Sequence, residues 1–206
     1  MFMTIRQVID LAKASELTGL PVASKDETVL GFINLGVLEL YKRFTLRVEE
    51  WIIALKDGQS YYTAPEDFMW IIAAYGEIGV DSVMQVNVLP VNEEDNPLSI
   101  NTVGWNKIQI PLSVTGAYIS VIYAATPEHY TVAEDTKTIN IPPQMIEALL
   151  AYIGWRANST IDTGVQTEDS VWYRRFEDSC SRLEVKGFIN ANDMVMTNRL
   201  NMRGFV

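Results

Sequence analysis

The sequence is short of the residues that most enzymes and metal sites rely on. It holds one cysteine, Cys180, and one histidine, His129. A single cysteine excludes an intrachain disulfide and fits a reducing interior, with nothing to argue for export. There is no run of about 18 apolar residues of the kind a membrane span needs, so no membrane association is expected. The first stretch offers only Arg6 and Lys13 and is interrupted by Asp10, a poor match to a secretory signal. Bases are scarce as well: 16 Lys and Arg stand against 26 Asp and Glu, a net charge of −10. Such a balance does not hold DNA by neutralising phosphates, which takes clustered Lys and Arg. It suits plain solubility, or a wall past which a polyanion slides. A Gly-rich phosphate loop, a His-Glu-x-x-His pair and a Cys-x-x-Cys pair are all missing.

The chemistry-bearing residues that remain read as structural. His129 lies in Pro127-Glu128-His129-Tyr130, a surface turn, with no second histidine to share a metal. Cys180 falls on the apolar stripe of a helix, where a thiol serves as a small core residue. Glu49-Glu50 and Glu93-Glu94 read as solvated charges. Asn92-Glu93-Glu94-Asp95-Asn96-Pro97 supplies oxygen ligands but lacks the alternating acids, the glycine and the closing glutamate of a calcium loop. Trp51, Trp70, Trp105, Trp155 and Trp172 could line a sugar cleft. Four of them sit in elements with apolar stripes, which favours core use. No catalytic residue, cofactor site or metal site is expected.

What the chain has in quantity is apolar patterning: 48% of its 206 residues are hydrophobic, a globular composition long enough for one sizeable core or a core with a subdomain. Thr4-Ile5-Arg6-Gln7 has capping-box spacing and opens a helix over 4–14 with Ile5, Val8, Ile9 and Ala12 on one face. Ser24-Lys25-Asp26-Glu27 repeats that spacing ahead of a helix to Phe44. That helix is apolar nearly all round, so it should be central to a packed layer or an interface. Its Gly31 and Gly36 suggest close approach by a neighbouring helix. From Arg47 the period becomes two, with Trp51, Ile53 and Leu55 facing one way. Asp57-Gly58 is expected to turn that strand into a hairpin with Tyr61-Tyr62-Thr63. Further strands are expected over Phe68–Tyr75, weakly over Val83–Val91, and over Lys107–Ile110, Tyr118–Ala125 and Thr138–Ile141. Pro142 then starts a helix with Met145, Leu149, Tyr152, Ile153 and Arg156 on its stripe. A last helix carries Trp172, Phe176, Cys180 and Leu183 on one face and stops at Gly187.

Beyond Gly187 the helical period ends while the apolar content persists. Phe188, Ile189, Ala191, Met194, Val195, Met196, Leu200, Met202, Phe205 and Val206 are accompanied by only three charges, Asp193, Arg199 and Arg203. Disordered termini are usually richer in charge and poorer in large apolar side chains. Residues 188–206 therefore read as a docking arm, with methionines suited to an irregular receiving surface.

Four features taken together are familiar. They are the Asp57-Gly58 turn, Tyr62-Thr63-Ala64-Pro65-Glu66-Asp67-Phe68, Pro142-Pro143-Gln144-Met145-Ile146-Glu147-Ala148-Leu149, and a terminal Arg203-Gly204-Phe205-Val206. In this order the chain resembles, from about residue 24 to 206, the head-to-tail adaptor (connector) proteins of tailed bacteriophages, particularly the short-tailed type. That family usually has Leu before the proline where this chain has Ala64. The resemblance implies a ring of about twelve copies beneath the portal, a helical bundle joined to a β-rich part, and a C-terminal arm reaching onto the portal protein. It also implies a tail or nozzle protein below, DNA only passing through the channel, no catalysis, synthesis in the host cytoplasm and a place at the head–tail junction of the virion.

The expected fold is α+β: a helical bundle of helices about 26–44, 142–157 and 167–186, an antiparallel β-rich subdomain and an extended C-terminal arm. The expected division is a body, 1–187, with its β-rich insertion over about 48–141, and the arm, 188–206. The expected portal contacts are Phe188, Met194, Met196, Arg199, Leu200, Met202, Arg203, Phe205 and Val206. Two other readings stay open on the residues alone: a tail-tube or nozzle component, and a carbohydrate-binding module using exposed Trp and Tyr.

Overall fold

The computed structural model describes residues 2–77, 86–114, 116–159 and 171–186. It is an α+β chain of two compact units. One unit is helical and takes the chain up to Leu46 and again from Pro127; the other holds the strands, Arg47–Thr126.

In the helical unit, α1 (Ile5–Ala14) opens on the capping box its spacing predicts. Thr4 N donates to Gln7 Oε1 at 2.9 Å, and Gln7 N donates to Thr4 Oγ1 at 3.3 Å. Ile5, Val8, Ile9 and Ala12 are buried, as the periodicity requires. The second expected box does not form. Ser24 ends a short 3-10 turn, Pro21–Ser24, and its Oγ donates back to Pro21 O at 2.9 Å. Lys25 is the residue before α2 (Asp26–Phe44) and makes no side-chain cap. The helix is instead favoured at its start by Asp26 and Glu27 and at its end by Lys42 and Arg43, charges that oppose the ends of the helix dipole.

Burial on α2 runs round much of its circumference, from Val29 and Leu30 to Tyr41 and Phe44. It packs against α3 (Ile146–Ser159), which begins after a 3-10 turn, Pro143–Met145, rather than at Pro142 itself. α4 (Val171–Val185) packs on α3 with Phe176, Cys180 and Leu183 of the expected stripe buried and Trp172, its fourth member, half-buried. The start expected for that helix, 167–170, lies outside the described residues. Gly36 is where α2 and α3 come close: a Cβ there would lie 2.5 Å from Leu149 Cδ1 and 2.9 Å from Tyr152 Cδ1. Among the described residues nothing lies within 4 Å of a Cβ placed at Gly31, so its expected role in close approach does not hold there.

The expected strand over Thr138–Ile141 is a single antiparallel bridge, Thr138 to Thr4. Ile139 and Ile141 are buried in the helical core, so their alternation marks a loop pinned to helices. The pinning is polar. Asn34 of α2 clamps Tyr130 with two bonds, Nδ2 to Tyr130 O and Tyr130 N to Oδ1, both 2.9 Å. The buried Tyr130 hydroxyl accepts from Asn140 N at 2.8 Å, and Tyr41 donates to Asn140 O at 2.7 Å.

The strand unit holds β1 (Val48–Ala54), β2 (Tyr61–Thr63), β3 (Phe68–Glu77), β4 (Val86–Leu89), β5 (Asn101–Gly104), β6 (Lys107–Gln109) and β7 (Tyr118–Ala125). They form a four-stranded sheet, β1-β7-β3-β4, and a three-stranded sheet, β2-β6-β5, with antiparallel pairing throughout both. The expected hairpin across Asp57-Gly58 is overturned. β1 pairs with β7 over seven residues, and β2 pairs with β6 in the other sheet. The turn at Gly58 (φ +75°) is real but joins two sheets. β7 is buried from Ile119 to Ala125, in keeping with a strand apolar on both faces. Ile53, Tyr62, Phe68, Ile71, Ile100, Ile108, Val121 and Tyr123 share one core.

Candidate functional site

Geometry disposes of the few reactive side chains one at a time. Cys180 is fully buried, and burial pushes its thiol up to about 12, so it is not a thiolate at neutral pH. His129 is exposed, 3.4 Å from Asn34 Nδ2, at the edge of the clamp that holds Tyr130. The acidic loop is closed on itself. Asn96 Nδ2 donates to Glu93 Oε2 at 3.0 Å, Leu98 N donates to Asn96 Oδ1 at 3.1 Å, and Glu93 N donates to Ser99 Oγ at 2.8 Å. Asn92 Oδ1 accepts from Thr102 N at 2.8 Å. The side-chain oxygens of Asn92 and Asn96 thus serve nearby backbone N–H groups, and a Glu93 carboxylate oxygen serves the Asn96 amide. Among the described residues no three His, Cys, Asp or Glu side chains gather to hold a metal ion, and no helix is long and apolar enough to cross a membrane.

The tryptophans separate into two groups. Trp51, Trp70, Trp155 and Trp172 are half-buried. Trp155 belongs to an aromatic chain: Tyr152 meets it edge-on at 5.3 Å between ring centroids and meets Phe176 at 5.4 Å, and Trp155 meets Tyr173 at 5.0 Å. These rings and the bases Lys42, Arg43 and Arg156 border a cleft of about 500 Å³ in the helical unit. Arg43 is committed there, donating to Glu184 at 2.7 Å and Glu177 at 2.8 Å, and these carboxylates hold its guanidinium charged. Trp105 is the exception. It stands 82% exposed in the turn between β5 and β6, and on the neighbouring strand Lys107 Nζ lies 4.7 Å from the Tyr61 ring centre.

Charge divides unevenly along the chain. Residues 47–126 hold 3 bases and 10 acids, so the strand segment carries −7 of the total −10. Its bases are spoken for in part: Arg47 bridges Glu49 at 2.9 Å and Asp67 at 3.2 Å. Asp67 also accepts from the Tyr123 hydroxyl at 3.0 Å. Burial first, and then that carboxylate, push the Tyr123 phenol up to about 12.

The arm residues, Phe188, Met194, Met196, Arg199, Leu200, Met202, Arg203, Phe205 and Val206, lie outside the described residues. A family model described as the SU10 adaptor protein matches residues 3–202. The chain belongs to the SU10 adaptor protein family. No curated protein matches it. Among solved structures, a chain from the neck of an empty GTA particle, computed with C6 symmetry, is 10% identical over 86% of the SU10-family chain and 88% of its own length, with a TM-score of 0.31. A likeness that low carries no argument, and the family assignment rests on the sequence match alone.

Proposed function

We propose that this protein is a ring-forming head-to-tail adaptor of a tailed phage-type particle. It docks beneath the portal, continues the DNA channel and receives the tail below. The observation that carries the reading is the adaptor-family match across residues 3–202. Two features support it. The strand segment is strongly acidic, as befits a wall that DNA passes without sticking. After Gly187 the sequence keeps its large apolar residues and loses its periodicity.

On this reading the body, 1–187, is the ring subunit and residues 188–206 are the arm that reaches the portal. Phe188, Met194, Met196, Leu200, Met202, Phe205 and Val206 are its apolar anchors, and Arg199 and Arg203 pair with acids on the portal. Each arm alone loses ordering entropy on docking, and repetition round a ring of about twelve copies offsets that loss. The protein is made in the host cytoplasm and ends at the head–tail junction.

Removing residues 188–206 tests the assignment. The truncated chain is expected to keep its circular dichroism and thermal unfolding but to leave portal-bearing heads without a ring in electron micrographs. Normal assembly of the truncated chain would show that the arm is not the portal contact. The exposure of Trp105 favours one second reading, carbohydrate binding. A glycan array probed with the wild type and with Trp105→Ala separates the two; the adaptor reading expects no glycan signal from either.

A further inference from the structure

The four-stranded sheet ends on β1 and β4, which each have a strand partner on one side only among the described residues. In an antiparallel ladder, successive residues direct their N–H and C=O groups alternately to one side and the other. Leu55 N donates to Ala117 O at 3.0 Å and Ala125 N donates to Arg47 O at 2.9 Å, continuing the β1–β7 ladder at both ends. The odd-numbered residues of β1 are thus bonded to β7, and Ile52 and Ala54 direct their backbone groups to the outer edge. Carried across β7 and β3 with the observed registers, the alternation makes Ala74–Leu89 and Gly76–Asn87 the hydrogen-bonded pairs of β3 and β4. Val86 and Val88 then direct their backbone groups outward. The bond beyond them agrees: Pro90 O, next in the same series, accepts from Ile100 N at 2.9 Å.

The same residues end one row of side chains. Ile52 lies opposite Ser120, Ser120 opposite Tyr75, and Tyr75 opposite Val88. This row crosses the full width of one sheet face. Its two ends are exposed aliphatics, Ile52 at 64% and Val88 at 73%. At each rim, one residue therefore has both an outward backbone and an uncovered apolar side chain.

We propose that neighbouring copies of this chain join edge to edge, β1 of one copy antiparallel to β4 of the next, with Ile52 opposite Val88 and Ala54 opposite Val86. The contact rests on the ring reading above and names the surface that builds it. The sheet has an even number of alternating strands. A copy that continues the sheet in the same strand order, as rotation about an axis running along the strands places it, therefore presents β1 antiparallel to β4. The two edges differ, so the contact is head-to-tail, the kind that closes rings when the rotation closes. Charge selects β4 over a second β1. β1 carries Glu49 and Glu50, and two β1 edges brought together would crowd the acids of both copies, whereas Val86–Leu89 carries no charge. Pro90, with no N–H and its carbonyl taken, ends the open stretch and limits the pairing to these two residue pairs.

The test is a full-length chain with Ile52→Cys and Val88→Cys together, assembled with the portal protein of the same particle and oxidised. Hydrogen-bonded antiparallel pairs hold Cα atoms about 5.5 Å apart, within disulfide reach. The expected result is a ladder of linked copies from the ring fraction on a non-reducing gel, with neither single variant linking. Rings of normal mass without a ladder overturn the contact and leave the ring reading standing. Linked dimers from Ile52→Cys alone show that β1 meets β1 and overturn it too. Wild-type chains that stay monomeric beside the portal remove the ring reading and the contact together. Both substituted positions are exposed, and thermal unfolding of the double variant is expected to match the wild type. Ile52→Lys, which charges the edge without touching the core, gives a second measure: a lowered ring fraction by mass photometry supports the contact, and an unchanged one counts against it.

Discussion

Gly36 and Gly31 sit five residues apart on α2 and have opposite uses. A methyl at Gly36 would press into Leu149 and Tyr152, both buried. Overpacking of that kind costs about 1–3 kcal/mol, and the gain in helix propensity returns only about 1 kcal/mol. Gly31 faces open space, so alanine there keeps the propensity gain and meets nothing. The expected outcome is a Gly36→Ala variant with a lower urea midpoint than wild type and a Gly31→Ala variant with a higher one. Equal midpoints would show that α2 and α3 do not meet as described. The sequence marked both glycines as weak points in a helix. It could not say which one faced a neighbour, because that depends on which stripe of an all-round apolar helix meets α3.

Among elements, α1 and α2 are held by side chains as well as by apolar burial. Asp26 accepts from Arg6 at 2.8 Å and from Lys13, and Arg6 also reaches Asp135 at 2.8 Å. The bond from Lys13 foremost, then that from Arg6, holds the Asp26 carboxyl below its ordinary value. A carboxylate lowered on folding contributes stability that is whole above its unfolded pKa, near 4, and is lost as pH falls through the folded value. Asp26→Asn is therefore expected to lower Tm by about 1–4 °C at pH 7, and the difference from wild type should close as the pH falls through the lowered folded value. A gap that persists in acid would point to packing rather than charge. Element identity was largely legible: the stripes of α1, α2 and α4 and the β-branched run of β7 are local signals. Pairing was not. Asp57-Gly58 has the residues of a hairpin turn, but β1 finds a longer apolar partner in β7, and a turn cannot report a strand some sixty residues away. Thr138–Ile141 alternates because two isoleucines reach into a helical core.

For the molecule as a whole, charge placement matters more than total charge. With the strand segment at −7, the full-length protein is expected to leave a short DNA duplex unshifted in a gel at physiological salt, any affinity being weaker than about 100 µM. A clear shift at that salt would mean that the few bases gather into a patch, and the channel-wall reading of the acids would have to be given up. The cross-linking and truncation experiments belong to the same scale, since the ring and the portal are properties of many copies. The surfaces they test were unequally visible. Residues 188–206 stand out in the sequence because apolar content outlasts periodicity. Ile52 and Val88 look like ordinary strand residues there.

The sequence by itself determined the α+β class, the helix stripes, the absence of a recognisable catalytic motif and, through its motifs, the adaptor family. These depend on composition and on periodicities of two and 3.6, which survive without knowing what touches what. Only the tertiary structure decided that Gly36 is a contact and Gly31 is not, that β1 belongs beside β7, and that Ile52 and Val88 end one row at the two rims of a sheet. Each of those depends on which distant segments pair and in what register, and a one-residue change of register would turn every side chain of a strand to the opposite face.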